Sequence, residues 1–122
     1  MIIQDVRDAL LSVLPDRVYH YLAPTDAADR REAYAVWGET GIEPFDGDDG
    51  FCEWAVTGMI YFYTPEEYDR RFDALCAALD SVGISLRPGR IAWDDGTQQT
   101  AYELSWSVAC EPGGMYAEED GG

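Results

Sequence analysis

His20 is the only histidine in the sequence, so any imidazole-dependent chemistry must pass through it. It sits between Tyr19 and Tyr21 with no Gly-x-Ser-x-Gly, no adjacent nucleophile and no acid partner fixed by spacing. A base without a group to orient it does not make a nucleophilic site, so a structural or surface role follows. Asp46, Asp48 and Asp49 lie in a glycine-rich stretch with the composition of a cation loop. An EF-hand beginning at Asp46 needs an oxygen ligand at its fifth position, glycine at its sixth and glutamate at its twelfth. The chain supplies Gly50, Phe51 and Thr57 there, and the stretch reads as a solvated acidic loop. Asp94-Asp95 and Glu66-Glu67 have the pairing that general acid-base work uses, but a hairpin turn accounts for the first and a helix start for the second. Cys52, Cys76 and Cys110 are odd in number and contain no Cys-x-x-Cys, which argues against a zinc site or a disulfide framework and fits a reducing compartment. The sequence therefore predicts no catalytic residue, no metal and no cofactor.

Charge is more informative than any single group. The 122 residues include 24 Asp or Glu against 8 basic residues, all arginine, for a formal charge of −16. Such a surface repels nucleic-acid phosphates and anionic membranes at long range. No basic residue occurs between Arg31 and Arg70, where ten acids do, and after Arg90 only acids remain. A self-repelling surface of this kind faces a cationic partner, repels a polyanion such as DNA in a channel, or simply keeps the protein soluble. With 47% apolar and 13% aromatic residues the chain is too hydrophobic to be disordered by charge. The longest apolar run, Trp54 to Tyr63, is far short of the roughly 20 residues that span a bilayer. Met1 to Leu14 has neither the basic start nor the small-residue cleavage site of a secretory signal.

The elements that would position these groups can be placed by periodicity. Ile2, Ile3, Val6, Leu10, Val13 and Leu14 recur at helical spacing up to Pro15. Residues 17–23 and 33–39 read as strands, 40–50 as a loop, and 51–63 as the strongest strand. In that strand Trp54, Val56, Ile60 and Phe62 share one face, and Glu53, Thr57, Met59, Tyr61 and Tyr63 the other. Thr64-Pro65-Glu66-Glu67 predicts a helix start with a capping box, and Gly83 its C-terminal cap. A strand over 84–93, broken at Pro88-Gly89, turns at 94–97 into a last strand over 101–110 with Tyr102, Leu104, Trp106 and Val108 inward. The predicted order is α-β-β-β-α-β-β: one α+β domain over 1–110, an antiparallel sheet of four to five strands flanked by two helices. Residues 111–122 are expected to form a flexible acidic C-terminal segment.

This order, with Tyr-Ala-Val-Trp-Gly-Glu in the second strand, Ile-Tyr-Phe-Tyr-Thr-Pro-Glu-Glu-Tyr-Asp running from the third strand into the helix, then Val-Gly-Ile-Ser-Leu and Tyr-Glu-Leu-Ser-Trp-Ser-Val, resembles small tail-completion or tail-terminator proteins of long-tailed bacteriophages. The resemblance covers about residues 2 to 110. It implies a non-enzymatic head-tail joining component of a phage or prophage virion, assembled in the host cytoplasm as a hexameric ring that caps the tail tube and meets the head connector. The acidic face would line a DNA passage or meet a neighbouring subunit. Large rigid side chains dominate interfaces, so Trp37, Tyr61, Tyr63 and Trp93, together with Asp46, Asp48 and Asp49, are the candidate interface residues. The alternative is an acidic DNA mimic that inhibits a DNA-binding host protein. A mimic should carry its acids along one continuous face; here they cluster at 43–49, at helix starts and near the C-terminus.

Overall fold

The computed structural model describes residues 2–28, 31–46 and 52–118, with only the backbone described at 45, 46 and 52. The elements are α1 (Gln4–Leu11), β1 (Val18–His20), β2 (Tyr34–Asp46), β3 (Cys52–Thr64), α2 (Arg71–Ser81), β4 (Ser85–Asp94) and β5 (Gln99–Cys110). The strands form one sheet in the order β1-β2-β3-β5-β4. Element order and the α+β class are as the periodicity predicts.

The sheet is mixed, which corrects the antiparallel expectation: β1 pairs in parallel with β2, Val18 opposite Ala35 and His20 opposite Trp37. A parallel neighbour needs a crossover, and residues 21–33 provide one with no α-helix among the described residues. Ala27 packs there on Tyr34 and Val36, on the sheet face away from the helices. Arg17 ties the crossover down, its Nε donating to the Ala33 carbonyl at 2.8 Å and its guanidinium pairing with Glu32 at 2.8 Å.

β2 also runs further than its glycine and proline content implied, absorbing 40–46. Across a bulge between Glu39 and Gly41 it stays in register with β3 as far as Asp46 opposite Cys52. Proline is tolerated at a strand edge, and Pro44 lies where the outer side of β2 has no strand partner among the described residues.

The helices cover one face. Alternation sends Trp37 from β2, Val56, Ile60 and Phe62 from β3, and Leu104, Trp106 and Val108 from β5 into a core with Ile3, Val6 and Leu10 of α1 and Leu75 and Leu79 of α2. At its centre Gly58 lies opposite Trp106, because a Cβ at Gly58 would stand 2.2 Å from both the indole and the Gly38 carbonyl. The buried indole N–H donates to the Met59 carbonyl at 3.1 Å.

α2 begins at Arg71, seven residues after the predicted cap. Thr64 does accept an amide, from Glu66 at 3.1 Å, but its hydroxyl donates to Asp69 Oδ2 at 2.5 Å, and Asp69 Oδ1 accepts the Arg71 amide at 2.9 Å. Tyr68, at φ 53°, turns the chain between the two caps. Gly83 closes the helix at φ 87°, with the Ile84 amide reaching back to the Leu79 carbonyl at 3.1 Å.

Beyond β5, part of the segment expected to be flexible is tied to α1. The Ile3 amide donates to the Met115 carbonyl at 2.7 Å, and the Gln4 side chain bonds both the amide and the carbonyl of Ala117, at 3.0 and 2.8 Å.

Candidate interaction surface

β4 is an edge strand. It pairs with β5 alone, and of its ten residues only Leu86 is even partly covered. Its register shifts between Pro88 and Ile91, and Gly89 passes so close to β5 that a Cβ would meet the Glu103 carbonyl at 3.0 Å. Beyond this bulge Ile91 opposes Tyr102 and Trp93 opposes Thr100, which puts both on the helix side of the sheet. There α2 no longer shelters them: they are 69% and 55% exposed. Trp93 is not free to swing, since its N–H donates to Asp95 Oδ1 at 2.6 Å in the hairpin turn, where Asp94 Oδ1 accepts the Gly96 amide at 2.8 Å.

Neither α1 nor α2 packs on the opposite face of the sheet. At one end the tyrosines gather: Tyr34 and Tyr63 stack with centroids 4.8 Å apart, and Tyr61 follows at 6.3 Å from Tyr63. Burial raises the pKa of the Tyr34 and Tyr63 phenols above the usual value, so both stay neutral. At the other end Glu43, Thr57, Ser105, Ser107, Ser85 and Arg87 line a hollow of about 410 Å3. Arg90, in the bulge, pairs with Glu103 at 3.2 Å on the same face.

His20 has the acid partner that its spacing did not reveal. Parallel pairing opposite Trp37 brings Glu39, two residues further on, to the same side, with His20 Nε2 2.5 Å from Glu39 Oε1. The imidazole stacks between Tyr21 and Trp37, centroids 4.3 Å from each. The Tyr116 hydroxyl donates to the other oxygen of Glu39. Burial alone would raise the Glu39 carboxyl, but hydrogen bonds from Tyr116 and His20 outweigh it and lower the pKa. The bond to that carboxylate pushes the Tyr116 phenol up to about 12. A cavity of about 310 Å3 opens beside the cluster, lined by Ile3, Gln4, Arg7, His20, Trp37 and Tyr116. The described thiols, Cys76 and Cys110, are both raised in pKa by burial and so held away from the reactive thiolate. His20 and Glu39 thus fasten β1 and the C-terminal segment to β2.

The predicted interface residues divide. Trp93 stands on the exposed edge and Tyr61 and Tyr63 on the open face, half-buried, whereas Trp37 is 4% exposed and belongs to the core. Asp46 ends β2, and Asp48 and Asp49 lie outside the described residues. Ile91 and Arg87, which complete the β4 surface, were not singled out by type; the edge position of their strand is a property of topology. Among the described residues no group of three or more His, Cys, Asp or Glu is arranged to hold a metal, and no helix is long and apolar enough to cross a membrane. No protein-family model matches the chain, and no curated protein matches it.

Proposed function

We propose that this protein is a non-enzymatic structural subunit that assembles with copies of itself into a ring, as the tail terminator or head-tail joining component of a phage or prophage. The observation that carries this reading is the β4 edge: ten residues paired with β5 on one side and with no strand on the other among the described residues, with Ile91 and Trp93 displayed beyond the reach of α2. An edge of that length is a template for association, and Pro88, the bulge and the charges of Arg87 and Arg90 narrow the partners it accepts without covering it. The bulge and Pro88 break the β4 ladder at one place only. The other end of the sheet has a different strand and different side chains, so copies that meet through the two ends join head to tail. A head-to-tail contact closes into a ring when its rotation allows. The resemblance of residues 2 to 110 to tail-completion and tail-terminator proteins supports the same reading, with the tail tube and head connector as neighbouring partners.

The test is absolute mass in solution by light scattering across protein concentration, followed by negative-stain imaging of any large species. A hexameric ring with a central hole is the expected result. A protein that stays monomeric or dimeric at every concentration and binds a purified basic DNA-binding protein would instead establish the DNA-mimic alternative.

A further inference from the structure

The self-assembly reading leaves open which surface receives β4. The second free edge of the sheet belongs to β2. β1 covers it only from Ala35 to Trp37, and the Tyr21 amide extends the contact to the Trp37 carbonyl at 2.7 Å. The Tyr21 hydroxyl then caps the Glu39 carbonyl at 3.2 Å. From Thr40 to Asp46 the outer edge of β2 has no strand partner among the described residues.

The side chains on the two edges match face by face. On the open face Glu43, opposite Ala55, projects from β2, while Arg87, opposite Ser105, and Arg90 project from β4. Neither Glu43 nor Arg87 has an ion pair among the described residues, although both line the hollow of the open face. On the helix face Ile42, opposite Val56, is 51% exposed at the β2 edge, and Ile91 and Trp93 are exposed at the β4 edge. Directions agree as well. β2 and β5 both run antiparallel to β3, and β4 runs antiparallel to β5, so a neighbour set edge to edge with the same face outward brings β4 antiparallel to β2. Pro44 and Pro88 each remove a single N–H from these edges, which keeps the match short and dependent on its side chains.

Charge decides the occupant. Two copies at −16 repel each other, so a stable contact must sit where the sign reverses locally. After Arg71 the only cations in the sequence are Arg87 and Arg90, and both are on β4. We infer that β4 of one copy lies beside residues 40–46 of the next, with Arg87 and Arg90 meeting Glu43 on the open face and Ile91 and Trp93 meeting Ile42 on the helix face. This rests on the ring reading above.

Charge reversal tests it. Arg87→Glu and Glu43→Arg change exposed side chains, and circular dichroism should show each variant folded like the parent. Each alone sets like charge against like and should lose the assembled mass seen by light scattering. Mixed in equal amounts the two should regain it, because each then meets the opposite charge on both sides, and the double variant should regain it by itself. Wild-type protein that assembles while both single variants assemble equally well, or a mixture that stays dissociated, would overturn this contact and leave the ring reading standing. Wild-type protein that never assembles would overturn the ring reading and this contact together.

Discussion

Asp69 shows how a carboxylate is kept ionised in a mostly buried place. Its side chain is 2% exposed, and burial alone would raise its pKa; the Arg71 guanidinium, the Thr64 hydroxyl and the Arg71 amide donate to it and bring it below the ordinary value. Thr64→Val removes one of these donors at nearly constant volume, and should destabilise the protein by about 1–3 kcal/mol in urea unfolding. The sign of the pH dependence follows. Asp69 and Glu39 both have lowered pKa values in the fold, so the unfolded chain binds more protons in acid. Their contribution is full above the unfolded carboxyl range of about 3.9–4.3 and is lost as pH falls through the folded values. Asp69→Asn should flatten the loss of stability measured between neutral pH and the acid limb; an unchanged slope would show that Asp69 does not carry it. At this scale the sequence was partly legible. Thr64 was marked as a cap by its local pattern, but its partner Asp69 is set by a turn through Tyr68 that has no pattern. The His20–Glu39 contact was hidden because it depends on which strand lies beside β1.

Among the elements, β3 and β5 are readable because a strand with one buried face writes its own alternation: the core uses Val56, Ile60 and Phe62 of β3 and Leu104, Trp106 and Val108 of β5, with Tyr102 packed against it, whereas Trp54 on the same β3 face is half-buried and outside the core cluster. Gly58 is the exception within β3. It breaks the alternation of large residues because Trp106 from β5 fills its place, a pairing visible only once the two strands are in register. Gly58→Ala should cost about 3 kcal/mol, near the upper end of overpacking penalties, and the loss should be read as a lower midpoint in denaturant. Tyr68 makes the opposite case. It is 87% exposed and held at φ 53°, where a side chain contributes strain and few contacts. Tyr68→Gly should raise stability by about 0.5–1 kcal/mol, and a drop would mean that the ring makes contacts worth more than the backbone strain. The run 40–46 reads as loop in the sequence for a reason of the same kind: glycine and proline signal a break, yet an outer edge with no strand partner among the described residues accommodates both.

For the whole molecule, composition gives the charge and the order of periodic segments gives the α+β class, while the parallel β1 and the two free edges come from topology. The charge carries its own prediction. Raising ionic strength from about 0.01 M to 0.15 M shortens the screening length from about 30 Å to about 8 Å. Repulsion between whole molecules at −16 then fades, while the close contacts of β4 with its neighbour are screened less. The assembled fraction measured by light scattering should therefore rise with salt over this range. A fall would mean that screening of the Arg87 and Arg90 pairs with Glu43 outweighs the relief of repulsion between whole molecules.

The strand order also has a consequence in time. β5 lies between β3 and β4, yet it is the last of the five strands to leave the ribosome. Until it arrives β4 has no strand neighbour, β3 can pair only with β2, Trp37 lacks Trp106 beside it, and the Ile3 amide lacks the Met115 carbonyl that receives it. The core of a growing chain can therefore be completed only after β5 has emerged, because Leu104, Trp106 and Val108 belong to it.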